Sequence, residues 1–111
     1  MTVTVRNLVP SKIAEATQTT QYTAVNVTTI IDKFTATNYS STAASISVNL
    51  VTYTDTAGNN NLIVKEKMLQ PSECYTFPEL VGQVLNNRSF ISTIAGTASA
   101  INIRVSGREV T

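Results

Sequence analysis

Apolar and polar side chains alternate with a period of two along short runs of this chain, and that restricts it to strands. Ile46, Val48 and Leu50 alternate with Ser45, Ser47 and Asn49; Ile101, Ile103 and Val105 alternate with Asn102 and Arg104. A strand turns successive side chains to opposite faces, so each run buries one face and wets the other. Composition favours the same backbone. Val, Ile and Thr supply 39 of the 111 residues, and branched side chains fit a pleated surface better than a helix. A chain of this length forms a single domain that buries about two thirds of its unfolded surface.

The remaining elements follow from local pattern. Val3 and Val5 alternate with Thr2 and Thr4 in a short strand that Pro10 ends, because proline donates nothing to a ladder. Ser11 to Glu15 offers one capped helical turn, and an edge strand is expected around Gln21 to Ala24. Thr28 to Asn38 reads as a strand with Ile30, Phe34 and Ala36 inward and Asp32 spoiling that side. After a turn at Asn38 to Thr42, the alternation of residues 45–50 shifts at Leu50-Val51, which suits a bulge. Asp55 to Asn61 is an exposed loop; Leu62, Val64 and Met68 then oppose Lys65 and Lys67. Gln70-Pro71-Ser72-Glu73 is a type I turn pattern.

Behind Pro78, the residues Leu80, Val81, Val84 and Leu85 have helical spacing, so one short helical segment is expected over 78–85. Ser89 to Ala95 and Ile101 to Val110 complete the strands, with Gly107 marking a bulge. The expectation is an all-β antiparallel sandwich, immunoglobulin-like or jelly-roll-like. Residues 1–21 form either an N-terminal arm or its first strand, and residues 22–111 the sandwich proper.

Chemistry is scarce in this sequence. There is no His, which removes the commonest general base and metal ligand. Cys74 stands alone, so no internal disulfide forms, and it reads as a small half-buried residue rather than a nucleophile. Scattered carboxylates offer no acid/base pair, and four glycines are too few for a phosphate cradle. No cofactor, no metal and no enzymatic activity are therefore expected. A net charge of +1 without a basic cluster argues against nucleic acid and anionic membrane as partners. No apolar run is long enough to span a bilayer, and Met1 to Arg6 lacks a signal-peptide pattern. A cytosolic origin, or a signal already removed, is expected. Three Asn-x-Ser/Thr tripeptides begin at Asn26, Asn38 and Asn87; about 2.5 are expected by chance at this Ser and Thr content, so they carry no information.

A succession of segments does carry a resemblance. These are Tyr22-Thr23-Ala24, Ile30 to Asn38, Ser45 to Val51, Pro71-Ser72-Glu73-Cys74-Tyr75, Pro78-Glu79-Leu80-Val81-Gly82-Gln83-Val84-Leu85 and Ile101 to Val110. In this order and spacing the chain resembles the small virion-associated, capsid decoration-like β-sandwich proteins of tailed bacteriophages. It departs from them between the Tyr-Thr strand and the next, where Val25-Asn26-Val27 replaces their Pro and Gly, so a rebuilt loop is expected there.

The resemblance implies a structural protein of the virion, made in the host cytoplasm, with no catalytic residues to carry over. Capsid decoration through strand and loop contacts is the first expectation, with the major capsid protein or other virion proteins as partners and a homo-oligomer as the form. A tail or neck connector, a fibre-attachment module and a glycan-binding adhesion domain are the alternatives. The candidate interface residues are Val3, Val5, Leu8 and Tyr22 from the N-terminal region, and Asp55, Asn59, Asn60 and Asn61 from the exposed loop.

Overall fold

A computed structural model describes all 111 residues and contains two packed antiparallel sheets. Nine strands form them: β1 (Val3–Ile13), β2 (Thr19–Thr23), β3 (Thr28–Asn38), β4 (Ala44–Val51), β5 (Leu62–Leu69), β6 (Cys74–Tyr75), β7 (Val84–Leu85), β8 (Phe90–Ala95) and β9 (Ile101–Val110). The first sheet runs β1-β9-β3-β6, with β7 also paired to β3; the second runs β2-β8-β4-β5. The all-β antiparallel sandwich expected from the alternation is the architecture found. Its core is built from Ile31, Phe34 and Ala36 of β3, Ile46 and Val48 of β4, Ile91 of β8 and Ile101, Ile103 and Val105 of β9, all fully buried. Leu8, Val9, Leu69, Phe77, Leu80 and Leu85 close its ends and sides.

Strand β3 has the bounds the sequence indicates, but not the phase. Ile31 lies opposite Gly107 and Lys33 opposite Ser106, which leaves Asp32 as an extra, unpaired residue. That bulge reverses the alternation: Thr29 and Ile31 are buried before it, and Phe34, Ala36 and Asn38 after it. Ile30 therefore faces outward, contrary to the simple period. Gly107 sits across from the bulge because no side chain fits there. A Cβ on it would stand 2.3 Å from the Ile30 carbonyl oxygen.

Other departures have equally local causes. Strand β1 runs through Pro10 rather than stopping at it, since it lies at a sheet edge and its pairing with β9 is irregular between Val9 and Lys12. Ser11 to Ile13 thus continue β1, and no helical turn forms there. In β5, Glu66 adopts φ 47°, which reverses the phase, exposes Met68 and buries Leu69. Ser72 at φ 68° makes Gln70–Glu73 a type II turn, not type I, closed by Glu73 N–H donating to Gln70 O at 3.0 Å. Cys74 on the two-residue strand β6 is exposed, not half-buried.

Residues 78–83 form successive turns rather than a helix. Their spacing suits a helical stripe, yet only Leu80 and Leu85 point inward; Val81 and Val84 are exposed. Phe77 at φ 39° and Gly82 at φ 85° interrupt any helix, and Gly82 N–H donates to Ile31 O at 2.7 Å, anchoring the segment to β3 instead. The one helical turn of the chain is a 3-10 turn at Asn59–Asn61.

Between the sheets, Asn38 makes the corner from β3 to β4. Fully buried, it donates to Thr42 O and Leu69 O at 2.8 and 2.9 Å and accepts from Ser40 N–H at 2.9 Å. A buried amide with its bonds made costs little and fixes the turn.

Candidate functional site

Three places on this sandwich are candidates for a site. The first clamps the sheets together at one end. Glu109 of β9 accepts from Arg6 Nε of β1 at 2.6 Å and from the hydroxyl of Tyr22 on β2, in the opposite sheet. Tyr22 has one proton to give and Glu109 takes it, so the buried Thr29 hydroxyl of β3 donates to Tyr22 Oη at 2.7 Å. Bonds from Tyr22 and Arg6 hold the Glu109 carboxyl below its ordinary pKa, and burial together with Glu109 pushes the Tyr22 phenol up to about 12. Both Glu109 oxygens and the Tyr22 hydroxyl are engaged within the cluster.

The clamp has a pH signature. A depressed carboxyl stabilises the fold above the usual carboxylate range, and that contribution disappears as pH falls through the folded value. The raised phenol contributes below pH 10 and is lost as pH rises towards about 12. Glu109→Gln is expected to cost about 2 kcal/mol near neutral pH and to flatten the acid limb of the melting-temperature profile. Thermal melts from pH 2 to 8 (an interval set by carboxylate titration) measure both; an unchanged acid limb removes the clamp from the account.

The second cluster lies on the outer face of the four-stranded sheet. Asn49, buried under the 52–61 loop, donates to Gly58 O at 3.0 Å and to Asn61 Oδ1 at 2.8 Å. Gln18 donates to Ser92 Oγ at 2.7 Å beside it. Asn61 returns a bond to Thr56 O at 2.8 Å, while the Asp55 carboxylate accepts from Thr56 N–H at 3.0 Å and Asn60 Nδ2 at 3.2 Å. A shallow polar depression of about 180 Å³ remains between Gln18, Asn49, Lys65 and Ile94. The loop spends the Asn61 amide and the Asp55 carboxylate largely on its own shape, which leaves fewer acceptors for a sugar or a calcium ion.

The third place is the outer face of the five-stranded sheet, which no other element covers. Cross-strand register puts Val3 beside Val110 and Thr28, and lines up Val5, Arg108, Ile30 and Val84 in one row. Val5 is 82% exposed and Val84 53%. In the middle of the row Arg108 is held by Asp32, Nη2 to Oδ1 at 2.9 Å and Nε to Oδ2 at 3.0 Å. The bulge at Asp32 makes that two-pronged pair possible. The remaining outer positions are mostly polar, among them Lys33, Thr35, Thr37, Asn102, Arg104 and Ser106, with the exposed Ile13 beside Asn102 at the far end.

The candidate interface residues do not form one surface. Val3 and Val5 lie on this exposed face, whereas Asp55, Asn59, Asn60 and Asn61 belong to the loop on the opposite side of the sandwich. Leu8 is buried against Gly107, a core residue and not a contact for a partner. Tyr22 is half-buried in the clamp. Ile30, Val84, Val110 and Arg108 join Val3 and Val5 instead. Asp32 breaking an apolar run, with Gly107 as a strand glycine, was the available signal for them.

No three His, Cys, Asp or Glu side chains converge as metal ligands would, and no helix is long and apolar enough to cross a membrane. The chain matches no protein-family model, no curated protein and no solved structure.

Proposed function

We propose that this chain is a structural protein of a tailed-bacteriophage particle, a capsid decoration protein that seats the outer face of its five-stranded sheet on the major capsid protein. One observation carries the reading: that face is uncovered from edge to edge, and one end of it is a row of exposed valines and an isoleucine around a neutralised Arg108. Exposed apolar area rimmed by polar residues is what a soluble domain keeps for a partner. The polar rim of Thr35, Thr37, Asn102 and Arg104 supplies hydrogen bonds at the edge of such a contact. Weak contact in one copy becomes firm attachment when many copies sit on a repeating lattice.

The resemblance of the sequence to virion proteins supports the same reading. The self-bonded loop at Asp55 to Asn61 favours it over glycan binding. A neck or tail position uses the same chemistry and differs in number. Quantitative mass spectrometry of purified particles separates them, since a lattice takes on the order of hundreds of copies and a neck ring about a dozen or fewer.

A further inference from the structure

The first half of β1 is an open strand edge whose geometry selects its own partner. Thr2 and Thr111 exchange both backbone bonds, at 3.2 and 2.9 Å. Bonded and non-bonded pairs alternate along an antiparallel ladder. With Thr4 opposite Glu109 and Arg6 opposite Gly107, those two residues also turn their N–H and C=O groups towards β9. Val3, Val5 and Asn7 therefore turn theirs away from the sheet. No strand lies beyond them, because β1 is the end of its sheet.

Every other edge of the sandwich is blunted. β2 has five residues and a register shift between Thr20 and Tyr22. β5 is broken by Glu66 at φ 47°, between two lysines. β6 and β7 have two residues each. Short strands, bulges and lysines are the usual defences of an exposed edge. Val3 to Asn7 has no lysine, proline or bulge, and its one charge, Arg6, is bonded to Glu109; the irregularities of β1 begin after Asn7, with Pro10 beyond.

We propose that two copies of this chain pair antiparallel through Val3 to Asn7, about a two-fold axis at Val5, joining their five-stranded sheets into one. In this register Val5 faces Val5, and Val3 faces Asn7 of the second copy. All three outward-turned residues of each strand then form bonded pairs, giving about six hydrogen bonds. Arg6 lies opposite Thr4 of the second copy, so no like charges meet. Centring the pair on Arg6 would set two arginines face to face, and centring it on Thr4 would leave Asn7 opposite a residue outside β1. Arg108, next to Val5 on β9, is already held by Asp32, and the two Arg108 side chains stand about 14 Å apart across three strand spacings. The exposed valines of both copies become one continuous strip. An unrelated peptide would have to reproduce this pattern, whereas a second copy brings it. The pairing stands whether or not the chain rides on a phage particle.

Cysteine cross-linking tests the pairing and its register. Because Cys74 is exposed, the variants are made in a Cys74→Ser background. A bonded antiparallel pair sets its Cα atoms about 5.5 Å apart, within disulfide range. Val5→Cys should therefore become a covalent dimer under mild oxidation. Val3→Cys, about 14 Å from its counterpart in this register, should stay monomeric. Val5→Pro removes an N–H that has no partner within a single copy. It should weaken dimerisation in analytical ultracentrifugation by about tenfold or more. Failure of that variant to fold would leave the cross-linking result to decide. A wild-type chain that sediments as a monomer at every concentration, with no Val5→Cys cross-link, overturns the proposal. So does cross-linking of Val3→Cys as readily as Val5→Cys.

Discussion

Gly107→Ala is expected to lower the melting temperature by about 12 °C, a loss of about 3 kcal/mol. The added methyl would stand 2.3 Å from the Ile30 carbonyl oxygen and 2.8 Å from Leu8 Cδ1. A side-chain tip can rotate away, but a carbonyl in the middle of a ladder cannot. β3 must leave β9, or the bulge at Asp32 must unwind. The φ of Gly107 is not in the left-handed region, so space alone sets the cost. Gly96→Ala provides the contrast, since its methyl would meet only the Ser45 hydroxyl at 2.5 Å, and Ser45 can change rotamer. That variant is expected to lose about 1 kcal/mol or less. Adding Leu8→Ala to Gly107→Ala should not restore stability, because the obstructing oxygen remains. Thermal or urea melts of the three variants measure this, and a Gly107→Ala chain as stable as Gly96→Ala contradicts it.

Phe77→Ala should cost as much or more, about 3–5 kcal/mol and about 12–20 °C. Phe77 is fully buried, its ring meeting Phe34 edge-on at 5.0 Å and Tyr75 at 4.7 Å. It is the plug by which the 77–85 segment enters the core. Around it, Lys67 lies over the Tyr75 ring at 4.4 Å, and Tyr75 Oη donates to Glu79 at 3.0 Å. These outer contacts are exposed and add little. Removing the ring therefore leaves a cavity, and it frees the turns of 78–83 from the sheet before the rest unfolds. Hydrogen exchange at Gly82, whose N–H is bonded to Ile31 O, should accelerate more in this variant than exchange in β4 or β8. Uniform acceleration would mean that the segment has no independent opening.

Much of the fold was legible because the strands obey a two-residue period over most of their length. The bounds of β3 and the inward set of β9 follow from it directly. Phase failed wherever one residue was inserted, at Asp32 in β3 and at Glu66 in β5, since a bulge moves every later side chain to the other face. The helical reading of 78–85 failed for a different reason. Leu80 anchors the turn and Leu85 the short strand β7, and their spacing coincides with a helical stripe. The candidate surface was half legible. Val3 and Val5 were found from alternation alone, but Leu8 went inward at the irregularity after Asn7. A simple two-residue period places Ile30 in the core, and the bulge at Asp32 turns it outward. The clamp was beyond local pattern, as Tyr22 and Glu109 are 87 residues apart and meet only when the two sheets do.

The proposed seating of the uncovered face on a capsid lattice is tested most directly by occupancy on particles. Under the proposed function, tailed-phage particles produced from a genome carrying this gene, purified and quantified by mass spectrometry, should contain the chain on the order of hundreds of times, in fixed ratio to the major capsid protein. Purified particles that contain none of it would contradict the account.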